Sequence, residues 1–311
     1  MKISIVTPCL DRNEYLNETI ESIVSQAGDF EIEYIIQNGG TNPEVSAILE
    51  KWDKIIKTKS YPVKCDKITF RYFNEKDNGM YDAINKGFEK SSGDIMAWLG
   101  SDDVYFTNAF STVTTVFGQF KDIHWIVGMK ALVNGKGQII YTSYYDPLAY
   151  SRHFINNGLY HIYNKNIGLG WIQQEATFWR RDLWEKAGSK VNSELNYAGD
   201  YHLWKKMAQY SDLVKVYSPL GAFRRHGEQK TSTSLDNYIV ETEKKNHVPK
   251  GFIRLRNILH NYPFLRKYIF QNYFGKFILR YLKLEREWLV GRVIRWDFVN
   301  NKWIIFYNHI V

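Results

Sequence analysis

Apolar positions in the first hundred residues cluster into four short runs: ISIV at 3–6, EYII at 33–36, TFRYF at 69–73 and DIMAWL at 94–99. Between the first two, Leu16, Ile20, Ile23 and Val24 fall at helical spacing. Between the last two, Tyr81, Ile84 and Phe88 recur at i, i+3 and i+7. Strands alternating with helices predict an α/β chain with a mostly parallel sheet and helices on both faces. Such sheets bind ligands beyond the carboxyl ends of their strands. The residues there are Thr7-Pro8, then Gln37-Asn38-Gly39-Gly40, then Gly100-Ser101-Asp102-Asp103.

Downstream, a hairpin is predicted around Asn134 to Gly137, followed by a polar, aromatic stretch over about 144–170 suited to a substrate-binding loop. A helix follows from about Asp182. A second, NYAGDYHLWKKMAQ, places Leu203, Met207 and Tyr210 on one face. LVKVYS reads as a strand, and the block ends on GAFRRHGEQKT. From about Leu235 the chain turns basic and aromatic. Phe264, Leu265, Tyr268, Ile269, Phe270, Tyr273, Phe274, Phe277, Ile278, Tyr281 and Leu282 spread over a broad helical face, and VIRWDFVNNKWIIFY predicts a terminal hairpin turning at Asn300-Asn301.

Charge sharpens this division. The net charge is +8, yet residues 244–296 hold 13 Lys/Arg against Glu285 and Glu287, so that segment is +11 and the rest is −3. A charge so confined, with no recognised binding motif, argues against nucleic acid as a partner. Three roles fit the segment: helices packed on the rest of the chain, contact with an anionic membrane surface, or a dimer interface. Two cysteines, Cys9 and Cys65, make no disulfide framework and favour a reducing compartment. MKISIVTPCL lacks the form of a signal peptide, and no run reaches the roughly 18 apolar residues of a membrane span.

The candidate chemistry centres on Asp102 and Asp103. Adjacent carboxylates at a strand's end repel unless a cation lies between them, and an oxygen-seeking divalent ion is the usual remedy. The alternative is a cap, Asp103 or Thr107 opening a helix over TNAFSTVTTVF. A bound Mg²⁺ or Mn²⁺ keeps several waters and takes one or two carboxylates plus phosphate oxygens, which makes a diphosphate a better leaving group. Asp200, at the start of a predicted helix, is either a cap or the general base for an acceptor hydroxyl. His226, flanked by Arg224, Arg225 and Lys230, is either a structural or surface residue or part of a loop folding over a diphosphate.

Taken in order, SIVTPCLDRNEYLNETIESIVSQ, EYIIQNGGTN, EKDNGMYDAINKGFEKSSGDIMAWLGSDD, IQQEATFWRRDLWEKAG with AGDYHLWKKMA, and GAFRRHGEQKTS resemble the motifs of family 2 glycosyltransferases, inverting enzymes of the GT-A fold. The resemblance covers roughly residues 1–235. It implies a catalytic domain there, with a nucleotide-sugar half over about 1–105, an acceptor half over about 106–235, and a C-terminal helical and hairpin extension over 236–311. It further implies Asp200 as catalytic base and Thr7, Pro8, Asn38, Asp77 and Asp102 at the donor nucleotide. Asp102, Asp103 and His226 would hold the metal, and Gln173, Gln174 and Glu175 would face the donor sugar or acceptor. The donor would be a nucleoside-diphosphate sugar, UDP-linked by preference and GDP- or dTDP-linked otherwise, and the acceptor a glycan or lipid-linked glycan.

Two departures stand out: Asn38 where the family commonly has Asp, and Gly100 where its acidic motif often begins with Asp or Asn. They keep alive a catalytically silent, sugar-nucleotide-binding scaffold on the same fold. No glycine fingerprint follows the first strand and no Walker-type loop occurs, which argues against nicotinamide-binding and P-loop proteins. The expected location is the cytoplasm, with possible attachment to the inner face of the cell membrane and possible homo-oligomers.

Overall fold

The computed structural model describes residues 1–12, 14–143, 148–161, 169–227, 235–242, 250–262, 264–271 and 273–310. The strands are β1 (Lys2–Cys9), β2 (Gly28–Asn38), β3 (Cys65–Asn74), β4 (Ile95–Trp98), β5 (Val104–Tyr105), β6 (Trp125–Asn134), β7 (Ile139–Ser143), β8 (Thr177–Arg180), β9 (Leu213–Pro219), β10 (Gly221–Arg225), β11 (Val290–Asp297) and β12 (Lys302–His309). Nine of them form a mixed sheet in the order β12-β11-β9-β6-β8-β4-β1-β2-β3, with β10 and β7 joined to β6 and β5 to β10 off this path. β4, β1, β2 and β3 run parallel, as the alternation of strand and helix predicts, and β8 enters antiparallel between β4 and β6. β1 is buried from Ile3 to Cys9, the continuous burial expected of a strand covered on both faces.

The helices α1 (Leu16–Val24), α2 (Pro43–Lys57), α3 (Met80–Glu89) and α4 (Ala109–Gln119) cover this half. α2, absent from the expected strand-and-helix alternation, buries Val45, Leu49 and Trp52 at i, i+4 and i+7, a helical period. Its start is also written in the chain: the Asn42 side chain accepts from the Glu44 amide, and Pro43 occupies the first turn. The capping alternative for Asp103 fails, because β5 intervenes before α4. That helix begins after Asn108, and the Gln26 side chain accepts from the Phe110 amide.

α5 (Arg152–Asn156), α6 (Arg181–Lys186) and α7 (Gly199–Met207) follow. Leu203 and Met207 are buried, whereas Tyr210 lies beyond the end of α7 and is exposed. Trp204 of α7 stacks on Trp98 of β4 at 5.8 Å and 6°. That contact ties the end of β4 to the helix that carries Asp200.

The Asn134 turn forms as expected, its side chain accepting from the Lys136 and Gln138 amides. Of the loop expected over 144–170, residues 144–147 and 162–168 lie outside the described residues. α8 (Leu235–Glu241), α9 (Lys250–Asn261), α10 (Leu265–Gln271) and α11 (Tyr273–Tyr281) precede the terminal hairpin. The hairpin turns through Asn301 at φ 50°, and β11 pairs with β9, so the C-terminal strands extend the central sheet. The single broad face expected of the basic segment divides between two short helices. Ile269, Phe270, Leu279 and Leu282 are buried in the common core, and Phe264, Tyr268, Phe277 and Tyr281 are exposed. The side chains of Tyr273 and Phe274 lie outside the described residues, as do Lys244 and Lys245. Among the described residues, no helix is long and apolar enough to cross a membrane.

Candidate active site

A cleft of about 560 Å³ opens where the sheet predicts it, at the carboxyl ends of β1 and β4. Pro8, Cys9, Leu10, Asp11 and Arg12 line it from the end of β1, and Asp77, Gly79, Met80 and Tyr81 from the start of α3. Trp98 and Gly100 to Asp103 follow β4; Gln174, Glu175, Asn196, Tyr197, Asp200 and Phe223 close the far side. The Asp11 carboxylate accepts from the Thr41 and Asn42 amides at 2.8 and 2.9 Å, fixing the β1 loop against the start of α2.

The acidic pair is held from several directions. Asp103 Oδ1 accepts from the Arg224 amide at 2.8 Å, and Asp102 Oδ2 lies 2.9 Å from His226 Nε2. The remaining oxygens converge: a Cβ on Gly100 would sit 2.7 Å from Asp103 Oδ2 and 2.9 Å from Asp102 Oδ1. Gly100, which departs from the family pattern, thereby leaves open the space that both carboxylates face. Burial, then the charges of Asp102 and Glu175, hold the Asp103 carboxyl well above the usual range. Glu175 is pushed up to about 7 and Asp200 to about 6, burial being the largest cause for each. Asp200 Oδ1 is buried without a hydrogen-bonding partner among the described residues.

Two convergent carboxylate oxygens and an excess of buried negative charge fit a hard divalent cation. Among the described residues, no three His, Cys, Asp or Glu side chains form a ready-made shell. An ion here would keep water or take phosphate oxygens, as Mg²⁺ and Mn²⁺ do.

Of the residues expected at the site, Pro8, Asp77, Asp102, Asp103, Gln174, Glu175 and Asp200 line the cleft. His226 lines an adjoining hollow of about 190 Å³ with Asp11, Arg12, Glu14, Tyr15, Ser101 and Asp102. Three others are placed elsewhere. Thr7 is fully buried, its Oγ1 accepting from the Tyr34 hydroxyl at 3.1 Å. Asn38 is spent on its own turn and on the end of β3: Oδ1 accepts from the Gly40 amide and Nδ2 donates to Asn74 Oδ1. Gln173 clamps β6, with Oε1 accepting from the Ala131 amide and Nε2 donating to the Ala131 carbonyl, both at 2.8 Å.

The sequence named Arg224 only as a neighbour of His226. It is fully buried, stacks on Tyr15 at 4.6 Å, pairs with Glu18 at 2.7 Å and donates from Nε to the Asp102 carbonyl at 2.6 Å. The signal lay in the alternation of β10, which buries Ala222 and Arg224 and exposes Arg225. Tyr15 in turn meets the His226 ring at 5.2 Å.

Residues 4–159 match the model of "Glycosyl transferase family 2". The chain belongs to that family. This glycosyltransferase is 25% identical over 255 residues to an uncharacterized glycosyltransferase of Rickettsia prowazekii, covering 81% of this chain and 71% of the relative. It is 22% identical over 246 residues to another from Haemophilus influenzae, covering 78% and 71%. Among solved structures, S. aureus TarS 1-349 in complex with UDP-GlcNAc superposes with a TM-score of 0.55 at 11% identity, over 91% of this chain and 79% of that one. The mannosyltransferase PcManGT from Pyrobaculum calidifontis, in complex with GDP-Man and Mn²⁺, gives 0.51 at 14%, over 83% and 69%. Both likenesses support the GT-A type of fold for the glycosyltransferase described here.

Proposed function

We propose that this glycosyltransferase is an inverting enzyme that moves a sugar from a nucleoside-diphosphate donor to a hydroxyl of a glycan or lipid-linked acceptor, in the building of a cell-surface polysaccharide. The observation that carries it is the pairing, in one cleft, of convergent Asp102 and Asp103 oxygens with an Asp200 carboxyl pushed up to about 6. An ordinary exposed aspartate is a weak base at neutral pH, and burial brings Asp200 nearer the value at which proton abstraction is efficient. Asp200 takes the acceptor proton, the hydroxyl attacks the anomeric carbon, and the nucleoside diphosphate leaves from the opposite face.

Asp102 and Asp103, with His226 beside them, would hold the divalent cation, Mn²⁺ or Mg²⁺, which when bound supplies positive charge to the departing diphosphate. Pro8 and Asp77 border the nucleotide, and a UDP-sugar is favoured, with TarS as the neighbour bound to UDP-GlcNAc. Glu175 and Gln174 face the sugar or acceptor; Gln174 Nε2 donates to the Trp98 carbonyl at 2.6 Å, which fixes the turn on which Glu175 sits. Residues 1–235 would form the catalytic domain and 236–311 its extension. Exposed Tyr262, Phe264, Tyr268, Phe277 and Tyr281 among Lys250, Arg254, Lys276, Arg280 and Lys283 suit contact with an anionic membrane, where lipid-linked acceptors reside.

Donor turnover tests the proposal. Wild type should release UDP or GDP from the matching sugar nucleotide in the presence of Mn²⁺, and Asp200→Asn should not. No release by the wild type beyond the background seen with Asp200→Asn would leave the scaffold alternative as the better account.

A further inference from the structure

We propose that Glu241 is a positioning residue that fixes the Asp200 carboxylate in the cleft. This rests on Asp200 being the base. Glu241 ends α8, beyond the catalytic domain as its motifs define it, and its carboxylate reaches back to the turn that enters α7. Oε1 accepts from the Asn196 amide at 2.9 Å, and Oε2 accepts from the Tyr197 and Ala198 amides, each at 2.8 Å. Three successive amides aimed at one anion form a nest. The Glu241 carbonyl also accepts from His202 Nε2 at 2.8 Å, one turn into α7.

No side chain of α7 itself caps its start. The carboxylate from α8 orders the entering turn instead, through charge-assisted hydrogen bonds. α8 is anchored for this task, because Tyr238, one turn earlier, is buried against Ala198 and Tyr201. On the other side, a Cβ at Gly199 would come within 2.6 Å of the Tyr81 ring on α3. The backbone just before Asp200 is thus wedged between Tyr81 and Glu241. Asn196 and Tyr197, whose amides Glu241 holds, line the cleft themselves. A base that must meet an acceptor hydroxyl in line tolerates little displacement.

The test uses full-length Glu241→Ala and Glu241→Gln. Hydrogen exchange is read at amides 196–198, binding by titration with UDP, and turnover with UDP-N-acetylglucosamine or GDP-mannose, whichever the wild type hydrolyses. Glu241→Ala should speed exchange at those amides and lower kcat by about 10- to 100-fold while UDP affinity stays unchanged. Glu241→Gln keeps one acceptor oxygen and should recover part of the turnover.

A pH profile separates this role from general support of the fold. Asp200 is faced by Tyr81 from α3, Glu175 from the turn before β8, and Tyr238 and Glu241 from α8. Burial is the main reason the Asp200 carboxyl is raised and the Glu241 charge adds to it, so removing that charge should move the acid limb of kcat/KM to lower pH. Wild-type kcat and acid limb in Glu241→Ala would overturn the proposal, as would lost turnover without faster exchange at 196–198. Should Glu241→Ala fail to fold, unchanged kcat and acid limb in Glu241→Gln overturn it. Full activity of Asp200→Asn would instead overturn the assignment of the base, whereas an inactive Asp200→Asn beside a wild-type Glu241→Ala removes Glu241 alone.

Discussion

Replacing Asp200 by Asn should abolish turnover and, at alkaline pH, stabilise the fold. Burial pushes the folded carboxyl up to about 6 from an ordinary value of 3.8. A folded value above the unfolded one means that stability is fully present below about pH 3.8 and is lost as pH rises through about 6. Two units at 1.36 kcal/mol each put a ceiling of about 3 kcal/mol on the cost of holding that charge at pH 8. About half of it remains at pH 5 and almost none below pH 4.

Asn keeps the shape and removes the charge. At about 2.1 cal/mol/K per residue, a chain of 311 residues unfolds with an entropy near 0.65 kcal/mol/K, so the gain corresponds to roughly 4 °C in Tm. Thermal unfolding of wild type and Asp200→Asn, read by circular dichroism at pH 8 and pH 5, should show a difference that shrinks by about half at the lower pH. Donor turnover on the same preparations should be lost in the variant. An unchanged Tm at both pH values would refute the claim that Asp200 is held desolvated, and a shift of equal size at both would point to packing rather than charge.

Gly100→Ala should lower Tm, because its methyl group meets the Asp102 and Asp103 carboxylates, and should lose Mn²⁺-stimulated turnover even at temperatures where the variant stays folded; full stimulation would count against that space as the ion's position. Arg224→Met should lower stability by about 2 kcal/mol, since it leaves the Asp102 carbonyl without its donor and takes the guanidinium off the Tyr15 ring, while the half-exposed Glu18 returns to solvent. It should also weaken UDP binding; chemical denaturation and titration on one preparation check both effects. Phe277→Ser with Tyr281→Ser should reduce co-sedimentation with phosphatidylserine vesicles several-fold without altering turnover of a soluble donor. Equal sedimentation would rule out that helical face as the membrane contact.

The hydrophobic rhythm made the parallel half of the sheet legible, because β1, β2 and β4 are buried along most of their length and punctuated at their carboxyl ends by turn residues. The same logic located Asp102 and Asp103, since position after a strand is enough to place a backbone near the cleft. It could not say which way a side chain points. Gln173 and Gln174 are adjacent, yet the first grips Ala131 and the second reaches Trp98, a difference set by the short turn at Gln174 to Ala176. Thr7 and Asn38 sit at strand ends as expected but are consumed by Tyr34 and Asn74, partners dozens of residues away. Glu241 is hidden for a related reason: its amide partners lie more than forty residues upstream, and no local pattern marks a carboxylate that completes another segment's turn.

The central claim is that the acidic pair and Asp200 share one metal-assisted donor cleft. Calorimetric titration of UDP-, GDP- and dTDP-sugars into wild type and Asp103→Ala, each with and without Mn²⁺, tests it most directly. The account predicts that one nucleotide class binds the wild type only with Mn²⁺ and that Asp103→Ala loses this binding. Binding that ignores both Mn²⁺ and the substitution would contradict it.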